Sequence, residues 1–381
     1  GRVTTTGYDA FGQLVLKTVG VGQRDARRTR YEYDLRGRLV REEDPLGHAI
    51  QMRYDAVGNK TNLVDRRGHI TVMEYDALNR LVCTTDALGK RSRVEYDKVG
   101  RVVAATNRRG YSTQHAYDAA GHLISLRDAK GNTSRKLYDA AGRCCEEVAA
   151  NGLRIRYECD QAGQLTNRVE GAGSTDLRSE AIAYDGLGRK QRVVDALGGI
   201  TRYTYDANGN ATTVSVFAAS GTLLRTTQTQ FNSRNLPVRV VDALGNVRQI
   251  GYDAMGRKTV ELDPLGNRTE YEYTLFDERA AVIDPMGNRT RTRYDLCGRV
   301  SETINALGAH TRYAYDPNGN RTAVIDDNGR AVLTSYDPLN RVVGLNKTMP
   351  DCPQDTLQRA DVNGDGTVDQ ADVVAMEERL P

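Results

Sequence analysis

One 21-residue phrase repeats almost from end to end of this chain, and it leaves little choice of architecture. From Tyr54 to Glu74 the sequence reads Y-D-A-V-G-N-K-T-N-L-V-D-R-R-G-H-I-T-V-M-E, and Tyr75-Asp76 begins it again. The Tyr position recurs at residues 8, 33, 54, 75, 96, 117, 138, 159, 184, 205, 231, 252, 273, 294, 315 and 336, which makes sixteen repeats. Twelve of the fifteen intervals are 21 residues; the other three, 25, 25 and 26, are short insertions. A fixed period of this length predicts an array in which neighbouring repeats bury each other.

Within each repeat two turn signals alternate with two short strand signals. The first turn is Tyr-Asp with Gly four residues after the Tyr, as at Gly37, Gly58, Gly100 and Gly188; Asn79 and Asn340 stand there because Asn also tolerates positive φ. The second is Asp-x-x-Gly, as in Asp44 to Gly47 and Asp263 to Gly266. The segments between turns are about 6 to 8 residues, rich in Val, Thr, Tyr, Leu and Arg, which suits strands and is short for helices. Pairs such as Tyr31/Tyr33 and Tyr313/Tyr315 put two rings on one face of a strand. Nineteen of the twenty tyrosines occupy this Tyr-x-Tyr frame and Tyr111 does not, so the rings are expected to stack from hairpin to hairpin. Arg recurs five residues after the Tyr (Arg38, Arg80, Arg101, Arg143, Arg189, Arg257, Arg299, Arg341), always near turn aspartates. Arg–Asp ladders across neighbouring hairpins are expected from that spacing.

The reading is therefore an all-β chain: residues 1–346 as one coiled antiparallel array of hairpins, a linker over 347–359, and a distinct segment over 360–381. Two strands per repeat at roughly 4.8 Å would make a sheet on the order of 150 Å long, which must coil because strands twist. With 39% apolar residues, no Trp and four Phe, a single coiled sheet fits better than a packed sandwich. The expected form is an open shell. The insertion Gln23 to Arg28, the loop Gly171 to Asp176 and the replacement of Tyr-Asp by Phe231-Asn232 are places for the array to bend or be decorated.

A net charge of +3 argues against a dedicated nucleic-acid surface. No run of 18 apolar residues exists to span a membrane. The six cysteines lack zinc spacing and are expected mostly as buried thiols, with Cys159 in place of a ladder Tyr. His48 and His69 share one repeat position, while His115, His122 and His310 occupy three others. With no H-E-x-x-H, G-x-S-x-G or phosphate loop, the expectation is a chain that is not an enzyme. It begins at Gly1 rather than Met, as a fragment or processed form does.

The pattern Y-D-x-x-G-R-x-x-x-x-x-D-x-L-G-x-x-T-x-Y-x-Y, carried by Arg80-Leu81, Asp86-Ala87-Leu88-Gly89 and Tyr96 to Arg101, resembles the RHS or YD repeat over roughly nine tenths of the chain. The resemblance implies a spiralling β-shell, as in bacterial polymorphic toxins, the cocoon component of insecticidal Tc toxins, and teneurins. In the toxins such a shell encloses a cleaved C-terminal toxin.

A second signal follows the array. In Asp361-Val362-Asn363-Gly364-Asp365-Gly366-Thr367-Val368-Asp369-Gln370-Ala371-Asp372, oxygen ligands fall at EF-hand positions 1, 3, 5, 9 and 12, with the Thr367 carbonyl at 7 and Gly366 at 6. The candidate calcium ligands are thus Asp361, Asn363, Asp365, Thr367, Asp369 and Asp372 for one Ca²⁺. An exiting helix is expected over Ala371 to Leu380. The segment resembles half of a dockerin type I module, which implies docking to a cohesin-like protein or to a second calcium loop. The combined expectation is an extracellular or cell-surface scaffold with a calcium-stabilised docking segment. The other readings are the shell of a toxin-delivery protein around an enclosed polypeptide, and a component of a polysaccharide-degrading assembly with a carbohydrate nearby.

Overall fold

The computed structural model of the chain describes residues 3–173 and 177–348. Among the described residues all thirty-two regular elements are strands, joined in one antiparallel sheet in which each strand pairs with the next in sequence. The final strand, Val342–Thr348, runs just past the boundary expected at 346. The candidate ligands Asp361, Asn363, Asp365, Thr367, Asp369 and Asp372, with the linker and the exiting helix, lie outside the described residues.

The turn chemistry explains why these short segments become hairpins. After the strand Ala49–Tyr54, the Asp55 amide donates to the Asn59 carbonyl at 2.9 Å and the Gly58 amide returns to the Asp55 carbonyl at 3.3 Å. The Asp55 carboxylate accepts from the amides of Val57 and Asn59 at 3.0 and 2.8 Å, so one side chain satisfies the backbone donors that a tight turn strands. This is a type I turn closed by a left-handed residue, which needs positive φ at its fourth position. Gly58 has φ of 108°, and Asn79 and Asn340 take the same place at 61° and 59°. Asn235 and Asp277 do so as well. The extra turn residue forces a bulge, seen between Arg53 and Tyr54 where Tyr54 comes to face Lys60. Second turns use the same carboxylate device, as at Asp65 with the amides of Arg67 and His69.

Between hairpins the Tyr frame is confirmed, but its contacts differ from the expected ring-on-ring stack. Hydroxyls of the tyrosines that open the turns reach over the preceding hairpin to a main-chain carbonyl: Tyr54 to Leu39 and Tyr75 to Lys60 at 2.9 Å, Tyr117 to Val102 at 2.9 Å. The face of the next ring is covered by the residue five after the previous Tyr. Arg38, Arg101, Arg189 and Arg299 lie 4.7, 4.8, 4.4 and 4.6 Å over Tyr54, Tyr117, Tyr205 and Tyr315. His122 takes the same role on Tyr138, stacked at 4.6 Å. The Arg–Asp pairs, too, differ from expectation: they close within one turn, Arg38 Nε to Asp34 at 2.7 Å and Arg101 Nε to Asp97 at 2.7 Å. The link to the next hairpin comes instead from Nη1, which donates to the carbonyl of Asp55 or Asp118. One guanidinium thus holds its own turn, the next turn and the next ring.

A one-layer sheet has little interior. The described residues fall into two compact units, one from residues 3–93 with 271–348 and one from residues 94–173 with 177–270. In the first, the buried apolar residues are Met52, Cys83, Ala281, Ile304, Ala323, Ile325 and Ala331; in the second, Ile182 is. The cysteines follow from this. Of the five described, all free, Cys83 alone is buried, whereas Cys144, Cys145, Cys159 and Cys297 are partly exposed, contrary to the expectation of mostly buried thiols.

Candidate functional site

Within the first compact unit, repeats that are far apart in sequence meet turn against turn. The separations of 251 and 253 residues between bonded partners correspond to about twelve periods. Second turns of the first three repeats dock on first turns of the thirteenth to sixteenth, and the sequence departs from its consensus at the contacts.

The thirteenth repeat has lost the usual Asp-x-x-Gly-Arg and reads Thr274-Leu275-Phe276-Asp277-Glu278. The Thr274 hydroxyl replaces the missing carboxylate, accepting from the amides of Phe276 and Glu278 at 3.1 and 3.3 Å. The charge at the Arg position is thereby reversed, and Glu278 receives Arg27 at 2.6 Å. Arg27 comes from the end of the first inserted loop, and its guanidinium lies 4.0 Å over the Phe276 ring. The insertion Gln23 to Arg28, read as a place for decoration, leads straight into this contact.

Two repeats on, Asp65 and Arg67 belong to one second turn. Asn318 donates to the Asp65 carboxylate at 2.8 Å. Arg67 lies 3.4 Å from the carboxylate of Asp316, whose side chain is 1% exposed, and donates to the carbonyls of Tyr336 and Asp337 at 3.3 and 3.2 Å. Asn320 supplies a further bond to Asp316 at 2.7 Å. A buried carboxylate is tolerated only when it is paired in this way. These contacts form a seam.

Beside the seam opens a cleft of about 460 Å³, lined by Lys17, Arg27, Tyr31, Asp44, Arg66 and Cys297 among others. Its volume is that of a small-molecule site, and two of its arginines are already engaged: Arg66 Nε lies 3.2 Å from Asp44 and Arg27 is held by Glu278. Burial, then the nearby Asp44 and Asp295 carboxylates, push the Cys297 thiol above its ordinary value. That is the reverse of an activated nucleophile, and no histidine lines the cleft to act as its base. Among the described residues no group of three or more His, Cys, Asp or Glu is placed to hold a metal ion. No described helix is long and apolar enough to cross a membrane.

The seam was invisible to sequence reasoning because its partners are so distant, although Arg67 in place of the usual Leu and the rewritten turn at Thr274 to Glu278 were departures that could have flagged it. A second missed signal was spaced along the chain. Asn59, Asn210 and Asn320 replace the ladder Arg, and their side-chain amides donate to Asn79, Asn235 and Asn340 at 2.9, 2.8 and 2.7 Å. Those acceptors are the asparagines that replace the left-handed glycine of the following turn.

The Teneurin YD-shell family model matches residues 4–157, and the RHS Repeat model matches 184–222, 298–331 and 315–348. No curated protein matches significantly. Among solved structures, the TcdB2-TccC3-Cdc42 crystal structure is 17% identical with a TM-score of 0.78 over 90% of this chain and 21% of that one. The TcdB2-TccC3-TEV crystal structure is 16% identical with a TM-score of 0.78 over 93% and 22%. A Photorhabdus luminescens Tc holotoxin pore is 16% identical with a TM-score of 0.76 over 93% and 22%. The chain spans about a fifth of the length of these structures, and at this identity the likeness establishes the fold. Two family models thus match separate stretches of this array, and its fold is the one these toxin structures share.

Proposed function

We propose that the chain is a non-catalytic, extracellular scaffold: part of a β-shell that shelters a polypeptide in a toxin- or effector-delivery protein. The observation that carries this reading is the seam, where ion pairs and turn-on-turn contacts fasten the sheet to itself across about twelve repeats. A sheet fastened in this way is suited to form a wall. The fold shared with TcdB2-TccC3 structures supports the same reading. Its test is limited proteolysis of the full-length gene product. A resistant repeat region that shields a segment cut readily once the shell is denatured would support the proposal; a resistant array that shields nothing would overturn it.

A second reading concerns the C-terminal segment, and the spacing of Asp361, Asn363, Asp365, Thr367, Asp369 and Asp372 favours it. We propose that these residues bind one Ca²⁺ and order a docking helix. Four carboxylates in one short loop repel each other until a cation is bound. Calorimetric titration of the full chain with calcium should reveal one site that Asp365→Ala removes. The absence of binding at millimolar calcium would eliminate this reading and leave the scaffold proposal intact.

A further inference from the structure

On one face of the second compact unit the charge pattern of the repeat breaks. Residues directly opposite on paired strands share a face, and in other repeats this register sets Glu against Arg: Glu146 faces Arg156, and Glu302 faces Arg312. Those carboxylates also hold Arg154 and Arg293, at 3.1 and 2.7 Å. The equivalent partners in the ninth repeat are Arg192 and Arg202. Both are exposed, and among the described residues no carboxylate forms an ion pair with either. Like charges set opposite each other cost stability, so such a break marks a place kept for something other than folding.

The break extends well beyond one pair. From the strand Leu165–Glu170 to the strand Lys258–Leu262, nine consecutive strands place no carboxylate on this face. The strip ends at Glu158 on one side and Glu270 on the other. Turn aspartates at its margins are taken up by their own turn amides, as at Asp195 and Asp206 at 2.8 to 3.0 Å. Within it lie a third guanidinium, Arg239, and the exposed polar groups of Thr204, Gln228, Gln230 and Gln249. Phe217 is partly buried under Arg202, whose guanidinium lies 5.1 Å over its ring, and the tyrosine frame is on the opposite face.

We propose that this strip binds a linear sulfated polysaccharide. Arg192 and Arg202 grip one sulfate group, and Arg239, four strands from Arg192 and so about 19 Å away, takes a second. Charge complementarity carries the choice of ligand, and the spacing selects a polymer over a free anion. A lone sulfate on solvated guanidiniums gains little, whereas groups linked along one chain bind at a raised effective concentration. The amides and hydroxyl between the arginines suit the hydroxyls of a saccharide. A single-stranded nucleic acid would need exposed rings on which to stack its bases, and this face offers none. The site is independent of what the array shelters.

The test is surface plasmon resonance of the full chain with heparin, fully desulfated heparin and a single-stranded oligonucleotide of matched charge. Heparin should bind, less tightly as salt rises, and the other two at least about tenfold more weakly. Arg192→Glu sets a carboxylate opposite Arg202 as Glu146 stands opposite Arg156, so the variant should melt no lower than the wild type. It should nevertheless bind heparin at least about tenfold more weakly. Arg239→Gln should weaken binding by a smaller factor. Arg93→Glu, an exposed position of the other unit with the same change in net charge, should leave binding intact. No heparin binding would overturn the proposal, as would desulfated heparin or the oligonucleotide binding as tightly as heparin. Equal losses for Arg192→Glu and Arg93→Glu would also overturn it, since net charge alone would then account for the binding.

Discussion

Arg67 and Asp316 meet at 3.4 Å, joining the third repeat to the fifteenth through a carboxylate that the sheet has taken out of water. Removing the guanidinium would leave that charge with Asn320 and backbone donors only. Arg67→Met, which keeps most of the apolar stem, should destabilise the chain by about 3 kcal/mol, the usual result of orphaning one member of a buried pair. Urea unfolding measures it, and amide exchange should quicken first around Asp316 to Asn320. A variant with unchanged midpoint and exchange would show that the seam contributes nothing to stability.

The tyrosine ladder separates into a hydroxyl part and a ring part. Tyr117 donates to the Val102 carbonyl and lies under Arg101, so Tyr117→Phe should cost about 1 kcal/mol and Tyr117→Ala about 3 kcal/mol. The exposed Tyr111 has neither contact described, and Tyr111→Ala should cost less than about 0.5 kcal/mol. Thermal melts of the three variants check the order. Equal shifts for Tyr117→Ala and Tyr111→Ala would refute it.

Asn59 and Asn79 act as a coupled pair. Where the ladder residue is Arg101, Arg143 or Arg299, its Nη1 lies 3.9 Å from where a Cβ would stand on the following turn glycine, so any longer side chain there would compete for that space. Asn59→Arg alone should therefore crowd Asn79, and Asn79→Gly alone should strand the Asn59 amide. The double variant recreates the Arg–Gly combination and should recover about 1 kcal/mol relative to the sum of the singles. A double-mutant cycle with no coupling would dismiss the pairing. The fourth non-glycine residue of this kind, Asp277, follows Arg257, so the rule is one for asparagine.

Acid should loosen the turns. The side-chain bond from the neighbouring Arg holds the carboxyls of Asp34, Asp76, Asp185 and Asp337 below their ordinary value, with backbone amides adding to it. A carboxyl lowered on folding contributes stability that is fully present above its unfolded value of about 3.9 and is lost as pH falls through the lower folded value. The urea midpoint should therefore be flat above about pH 5 and fall below about pH 4. Asp76→Asn with Asp185→Asn should flatten that decline. A midpoint independent of pH below 4 would contradict the role given to these turns.

Much of this was legible in the sequence because the repeat is local physics written sixteen times. The turn residues at Asp55 and Gly58, the strands between them and the shared face of the tyrosines all follow from spacing and backbone geometry. What joins hairpin to hairpin was harder. Two planar groups at a common period, Tyr and Arg, could stack like on like or alternate. The structure alternates them because Arg38 satisfies Asp34 and still covers the Tyr54 ring. Contacts between repeats as distant as Arg27 and Glu278 leave no periodic trace at all. Their only mark was a lapse in the consensus, an inserted loop at one end and a turn with reversed charge at the other.

The claim that most depends on the whole array is that its sheet meets itself at the seam. It can be measured with native Cys297 and a cysteine at Leu46, on the second turn whose Asp44 and Pro45 line the same cleft as Cys297, in a background with the remaining cysteines changed to Ser. A short bismaleimide should cross-link Leu46→Cys to Cys297 rapidly under native conditions and slowly in urea, while Val57→Cys, on a bare turn tip, should not react with Cys297 within the same chain. Equal intramolecular cross-linking for the two positions, or none for Leu46→Cys in the folded chain, would contradict the account.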